Sequence, residues 1–243
     1  MTALLLAEAR KARTVRTTWL LLGAVAALAA IGTAEPLVSA PPQTVRVPLH
    51  EQPFLSAPGL IVTIFALVAG LRTVTEEHRH GTIVPTLLVT PARHRVAAAK
   101  TLAAAASGAL CALLAGAVAL VTGSAWLASQ DLPVAVTGAV AGWALGLVGV
   151  GAAWAVLGAG IGLLVRHQAA AMVGTLLWVT AGEALVGALL PDVAPYLPAA
   201  AGRVLTSPWV DDLTPAAAAA LLGAWAAAAL VAGTWRLLRS DVI

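Results

Sequence analysis

Six stretches of this chain are long enough to cross a lipid bilayer and carry almost no charge, which restricts severely what the chain can fold into. They cover about 17–34, 56–74, 96–128, 133–165, 168–190 and 215–238, interrupted only by Arg72, Lys100, Glu183 and Arg236. A crossing helix needs about 20 mostly apolar residues at 1.5 Å rise each. Inside hydrocarbon every backbone N–H and C=O must be paired within the protein, and helices do this segment by segment. The expectation is an all-α, polytopic membrane protein with six transmembrane helices, forming one membrane domain over residues 1–243. Only 10% of the residues are charged, against about 25% in an ordinary soluble domain, too few to cover a water-facing surface.

The third and fourth stretches exceed one crossing. About 33 residues of helix reach roughly 50 Å against a hydrocarbon core of about 30 Å, so these helices must tilt, bend or project. The Gly-rich sequence over 138–162 suits a bend in the fourth.

Basic residues set the orientation, because short loops rich in Lys and Arg stay cytoplasmic. With the N terminus inside, twelve of the fourteen Lys and Arg residues fall on the cytoplasmic side and only Arg46 and Arg203 outside. Glu35, Glu51, Asp131, Asp192, Asp211 and Asp212 join those two on the outer side. Both termini are therefore expected in the cytoplasm. The N-terminal basic cluster and first apolar stretch also fit a cleavable signal peptide, with Gly32 and Ala34 as the small residues; that would leave five spans. The basic clusters lie beside apolar spans, where anionic lipid headgroups and not nucleic acid are the natural partner. Two lysines against twelve arginines, with abundant Ala, Gly and Val, is a high-GC bacterial bias, so the expected location is a bacterial cytoplasmic membrane. The single cysteine, Cys111, permits no internal disulfide.

The segment 35–55 carries five prolines and should run extended outside the membrane. The segment 191–214 is broken by Pro195, Pro198 and Pro208, and its short apolar piece 199–205 is either a re-entrant or interfacial helix or a solvated loop. Residues 4–16 read as an amphipathic helix lying on the membrane, with Leu5, Ala9, Ala12 and Val15 forming the apolar stripe, or as a simple basic anchor.

Between the second and third spans lies the segment 76–95, too polar at both ends to insert and closed by Pro91 after a short helix-forming middle. A short helix with charged shoulders on the cytoplasmic face is the shape of a docking element. Its sequence reads E-x-R-x-G-T at Glu77, Arg79, Gly81 and Thr82, then P-T-L-L-x-T-P-x-R from Pro85 to Arg93. With Lys100 opening the third span and the run Glu8, Lys11, Arg13, Thr14 and Arg16 to Trp19, it resembles the permease subunits of ABC type-2 exporters. The resemblance implies that 76–95 is a coupling helix seated in a cleft of an ATPase subunit, with contacts from Glu77, Arg79, His80, Gly81, Thr82 and Arg93. It also implies that the N-terminal helix touches that subunit, and that two permease chains, identical or different, assemble with two ATPase chains. No Gly-Lys-Ser/Thr phosphate loop occurs in the sequence. ATP and Mg are accordingly expected on the partner chain and no cofactor on this one.

Other residues admit sharper or blander roles. Glu76 and Glu77 resemble the Glu-Glu element of prenyl-processing intramembrane proteases, but Gly81 stands where that element has arginine. His78, His80 and His94 suit a basic face better than a metal site. Glu183 is the one acid well inside a span: it either lines a transport pathway or sits near the outer interface bonded to a hydroxyl. Gly138, Gly142, Gly146, Gly158 and Gly162 give a flat ridge for helix packing. A mostly apolar interior favours a hydrophobic or amphipathic substrate.

Overall fold

The protein is described from a computed structural model covering residues 2–39, 55–79, 92–131, 138–165, 167–207 and 213–239. Among the described residues there are helices and no strands. In chain order they are α1 (Thr2–Thr14), α2 (Arg16–Ser39), α3 (Ala57–Arg79), α4 (Arg93–Ser129), α5 (Gly138–Leu164), α6 (Gln168–Leu177), α7 (Glu183–Leu189), α8 (Pro198–Thr206) and α9 (Pro215–Arg239). A π turn, Trp178–Gly182, joins α6 to α7 into one rod. Six helices are long and apolar enough to cross a membrane, the α6–α7 rod counted as one. The chain is a multi-pass membrane protein.

Helix ends depart from the apolar boundaries for local reasons. The first span, expected to end at Ala34, runs on to Ser39 through Pro36. Pro36 forfeits its own N–H bond and crowds the Gly32 carbonyl, but only three residues follow it, so the strain is confined to the last turn. The second span does not stop at Val74 but continues to Arg79. Glutamate and arginine are good helix formers, and polarity ends the buried part of a helix without ending the helix. The segment 76–95 thus begins inside α3 and ends inside α4. At 37 residues α4 extends roughly 55 Å and projects beyond a bilayer core. It closes at Asp131, whose φ of 54 is the left-handed conformation in which aspartate is tolerated after a helix. The Gly-rich fourth span, α5, is a single uninterrupted helix.

α5 is the central helix, packed against α3, α4 and α9, with α2 lying on α3 and α4. Small residues permit this. A Cβ at Gly158 would collide with the Leu67 carbonyl of α3, and one at Gly151 with Gly108 of α4. The expected glycine ridge is therefore only partly a packing surface: Gly146, Gly158 and Gly162 meet neighbours, while Gly138 and Gly142 meet nothing within 4 Å among the described residues. The rod α6–α7 is the least enclosed span, and Ala171 and Glu183 are its buried residues. Its exposed apolar side chains, among them Leu177, Leu185 and Leu189, suit lipid or a protein neighbour and not water.

The contacts define two ends. α3, α5 and α9 run one way and α2 and α4 the other, so that Thr17, Arg72, Arg93 and Leu237 meet at one end. At the other, the indole N–H of Trp143 donates to the carbonyls of Leu55 (3.1 Å) and Thr206 (3.2 Å). α8, seated there, is a helix with six of its nine residues buried against α3, α5 and α9. It is not a solvated loop.

Candidate functional site

The end of the bundle where α1, α3 and α4 meet holds a cluster of four charges. On α1, Glu8 and Lys11 are three residues apart and so share a face, with Lys11 Nζ 3.2 Å from Glu8 Oε1. Lys11 also donates to Glu77 Oε1 at 2.5 Å, 66 residues on in the chain. From α4, Lys100 Nζ lies 2.9 Å from the same oxygen and 3.6 Å from Glu8 Oε1. Lys100 further donates to the carbonyl of Thr73 on α3, at 3.0 Å.

Two carboxylates thus face two ammonium groups, and the cluster is neutral overall. That balance matters because the middle of it is dry: the side chains of Glu77 and Lys100 are 6% and 3% exposed. Taking a charge out of water costs several kcal/mol, recovered only by close, well-bonded partners. Glu77 Oε2 stays buried without a hydrogen bond among the described residues, so the ion pairs on Oε1 carry its stabilisation. Lys11 is half exposed. Burial alone would lower its pKa, but the hydrogen bond and charge of Glu77, with Glu8 behind, hold the ammonium above the ordinary lysine value.

Further contacts fasten the elements on either side of residues 80–92. Arg72 donates through Nε to Glu76 Oε1 at 2.7 Å and through its terminal nitrogens to the hydroxyl and carbonyl of Thr17, tying α3 to the first turn of α2. Trp19 donates to the Arg13 carbonyl at 3.0 Å, closing the end of α1. Arg93 donates to the carbonyls of Leu237 and Leu238 at 3.1 and 3.3 Å. A guanidinium on the last carbonyls of a helix is favoured by both hydrogen bonding and the helix dipole. The exit of α3 is fastened to α1, α2 and α4, and the entry of α4 to α9.

Of the expected coupling contacts, Glu77 faces inward and makes its ion pairs within the chain, and Arg93 is engaged with α9. The backbone of Arg79 closes α3, and its side chain is outside the described residues, as are His80, Gly81 and Thr82 entirely. His94 is exposed in the first turn of α4. Among the described residues no group of three or more His, Cys, Asp or Glu could hold a metal. Glu183 lies at the other end of the bundle, 6% exposed. Its carboxylate accepts from the backbone N–H of Ala199, at 3.2 and 2.9 Å, and among the described residues no hydroxyl takes that place.

Sequence reasoning missed the cluster as a cluster. Its members Lys11 and Lys100 stood in the sequence only as parts of a motif, and Glu8 likewise. The available signal was Lys100 itself, an isolated charge at the start of an apolar stretch, which demands a partner of opposite sign. Compared with known proteins, the chain matches no family model and no curated protein.

Proposed function

We propose that this chain is the membrane-spanning permease subunit of an ATP-driven ABC exporter, working with a separate ATPase subunit and a second permease chain. The observation that carries the reading is the buried Glu77, bonded to Lys11 of α1 and Lys100 of α4 at the start of the 76–95 segment. A segment pushed by a partner moves a bundle only if its base is rigidly joined to several helices. Here the base is joined to α1, α2 and α4 on one side and to α9 on the other. The distribution of Lys and Arg supports a charged end and both termini facing the cytoplasm, in what this reading takes to be a bacterial cytoplasmic membrane.

In this reading the 76–95 segment docks in the ATPase through Arg79, His80, Gly81 and Thr82, while Glu77 and Arg93 fasten it to the bundle. ATP and Mg act on the partner, and closure of the ATPases moves α3 and α4 together. The cargo is hydrophobic or amphipathic, in keeping with spans that offer few fixed charges. Both carboxylates of the Glu-Glu pair are taken up by cations, Glu76 by Arg72 and Glu77 by the two lysines, which favours transport over proteolysis.

Purification of the tagged chain in mild detergent from its native host, with mass spectrometry, tests the reading. A P-loop ATPase should accompany the wild type and be lost from Arg79→Glu. No accompanying ATPase would overturn it. Substrate-stimulated flux in vesicles then separates an exporter from an ABC-linked sensing or structural module.

A further inference from the structure

α8 is held at both ends by polar contacts from other helices. At its C-terminal end the Thr206 carbonyl accepts from Trp143, and a Cβ at Gly146 would collide with the Leu205 carbonyl. At its N-terminal end Pro198 has no N–H, so Ala199 offers the first of the unpaired donors that any helix start exposes. That donor is met by both oxygens of Glu183. The middle of α8 adds packing: Gly202 lies against Trp154, whose buried indole N–H has no acceptor among the described residues.

The same contact resolves the difficulty of Glu183. A carboxylate about 22 Å along an apolar rod is costly unless bonded. A helix start supplies an N–H and the positive end of a dipole. Asp192 follows nine residues on and Arg203 lies on α8 itself; α5 carries no ionisable residue, and the charges of α3 and α9 lie at the opposite end of the bundle.

The rod is built to aim this carboxylate. Ala171 and Glu183 are its buried residues. Twelve residues of regular helix would leave them about 120° apart around the axis. A π turn inserts one extra residue and takes back about 100°, which brings both onto one face. The π turn Trp178–Gly182 stands directly before Glu183.

We propose that Glu183 is a positioning residue for α8: the π turn rotates its carboxylate onto the start of this half-helix, and that contact keeps α8 seated in the bundle. This does not rest on the transport reading and holds for any function of the chain.

Val204 of α8 is 9% exposed and accepts cysteine without added bulk. In detergent, where both faces are open to reagent, a bulky polar maleimide should label Val204→Cys slowly in the otherwise unaltered chain. Glu183→Ala should speed labelling by on the order of tenfold or more, the shift expected from losing a charge-assisted hydrogen bond. Glu183→Gln, which keeps an acceptor oxygen, should fall between the two. Cys111, 1% exposed in α4, reports general loosening and should stay protected throughout. Unchanged labelling of Val204→Cys in these variants, or equal gains at Cys111, would overturn the proposal. If Glu183→Ala does not fold, a Glu183→Gln rate no faster than the parent's does so alone.

Discussion

Lys100 Nζ and Glu77 Oε1 lie 2.9 Å apart with both side chains almost wholly enclosed, although the two residues belong to different helices joined by a polar segment. A pair so placed is a poor source of net stability but a strict one, because neither charge can be left behind alone.

Lys100→Met should therefore be among the most damaging single changes at this end of the protein. Losing one partner of a buried pair costs about 3–5 kcal/mol when the other is left bare; Lys11 stays on Glu77, so the loss should lie toward or below the lower end of that range. Thermal unfolding in detergent, followed by tryptophan fluorescence, should show a clearly lowered midpoint. Adding Glu77→Gln to Lys100→Met should recover much of the loss, and a double-mutant cycle reads the coupling directly. Additive losses would mean that the two side chains do not interact.

α1 is tied to the bundle through the half-exposed Lys11 and through Glu8, 3.6 Å from Lys100, so its docking is weaker than the buried joint and separable from the bundle. In Lys11→Ala, trypsin should cut at Arg10 and Arg13 sooner than in the parent, with the bundle intact. The pH dependence has one sign. A lysine whose folded pKa is raised contributes fully below the unfolded value and loses its contribution as pH rises through the folded value. As far as Lys11 sets it, protection of α1 should be flat between about pH 6 and 9 and fall only above the ordinary lysine range.

Two glycines of α5 make a matched pair. Gly158→Ala drives a methyl into the Leu67 carbonyl, where backbone has to move, and should destabilise by about 1–3 kcal/mol. Gly149→Ala meets nothing within 4 Å and should be neutral or stabilising by up to about 1 kcal/mol through helix propensity. Unfolding midpoints that move in the same direction for both would contradict the packing described.

The six spans were legible because hydropathy over a membrane-length window reflects a single strong constraint, the pairing of backbone groups inside hydrocarbon. Helix ends were less so. Pro36 and the pair Glu76 and Glu77 look like boundaries in sequence, yet one lost bond or a charged last turn leaves a helix intact. The pairing of Glu77 with Lys11 and Lys100 joins residues far apart in the chain, and no local pattern carries it. The partner of Glu183 is a backbone N–H, which has no sequence signature beyond Pro198 at the head of a short apolar run. The π turn depends on what the rod packs against and leaves no periodic mark. The inward burial of Glu77 has no mark in the sequence, where it stands in a polar run beside Glu76.

The measurement that bears most directly on the account is export and ATP hydrolysis by the proposed complex, reconstituted, comparing the parent with the Lys100→Met, Glu77→Gln double variant, which should recover much of the stability but removes the ionic joint between α3 and α4. The account predicts that the ATPase still accompanies the chain and hydrolyses ATP, while cargo flux per ATP falls by about tenfold or more, as expected when coupling through a charged pair is lost. Unchanged flux per ATP would show that the Glu77–Lys100 joint transmits nothing.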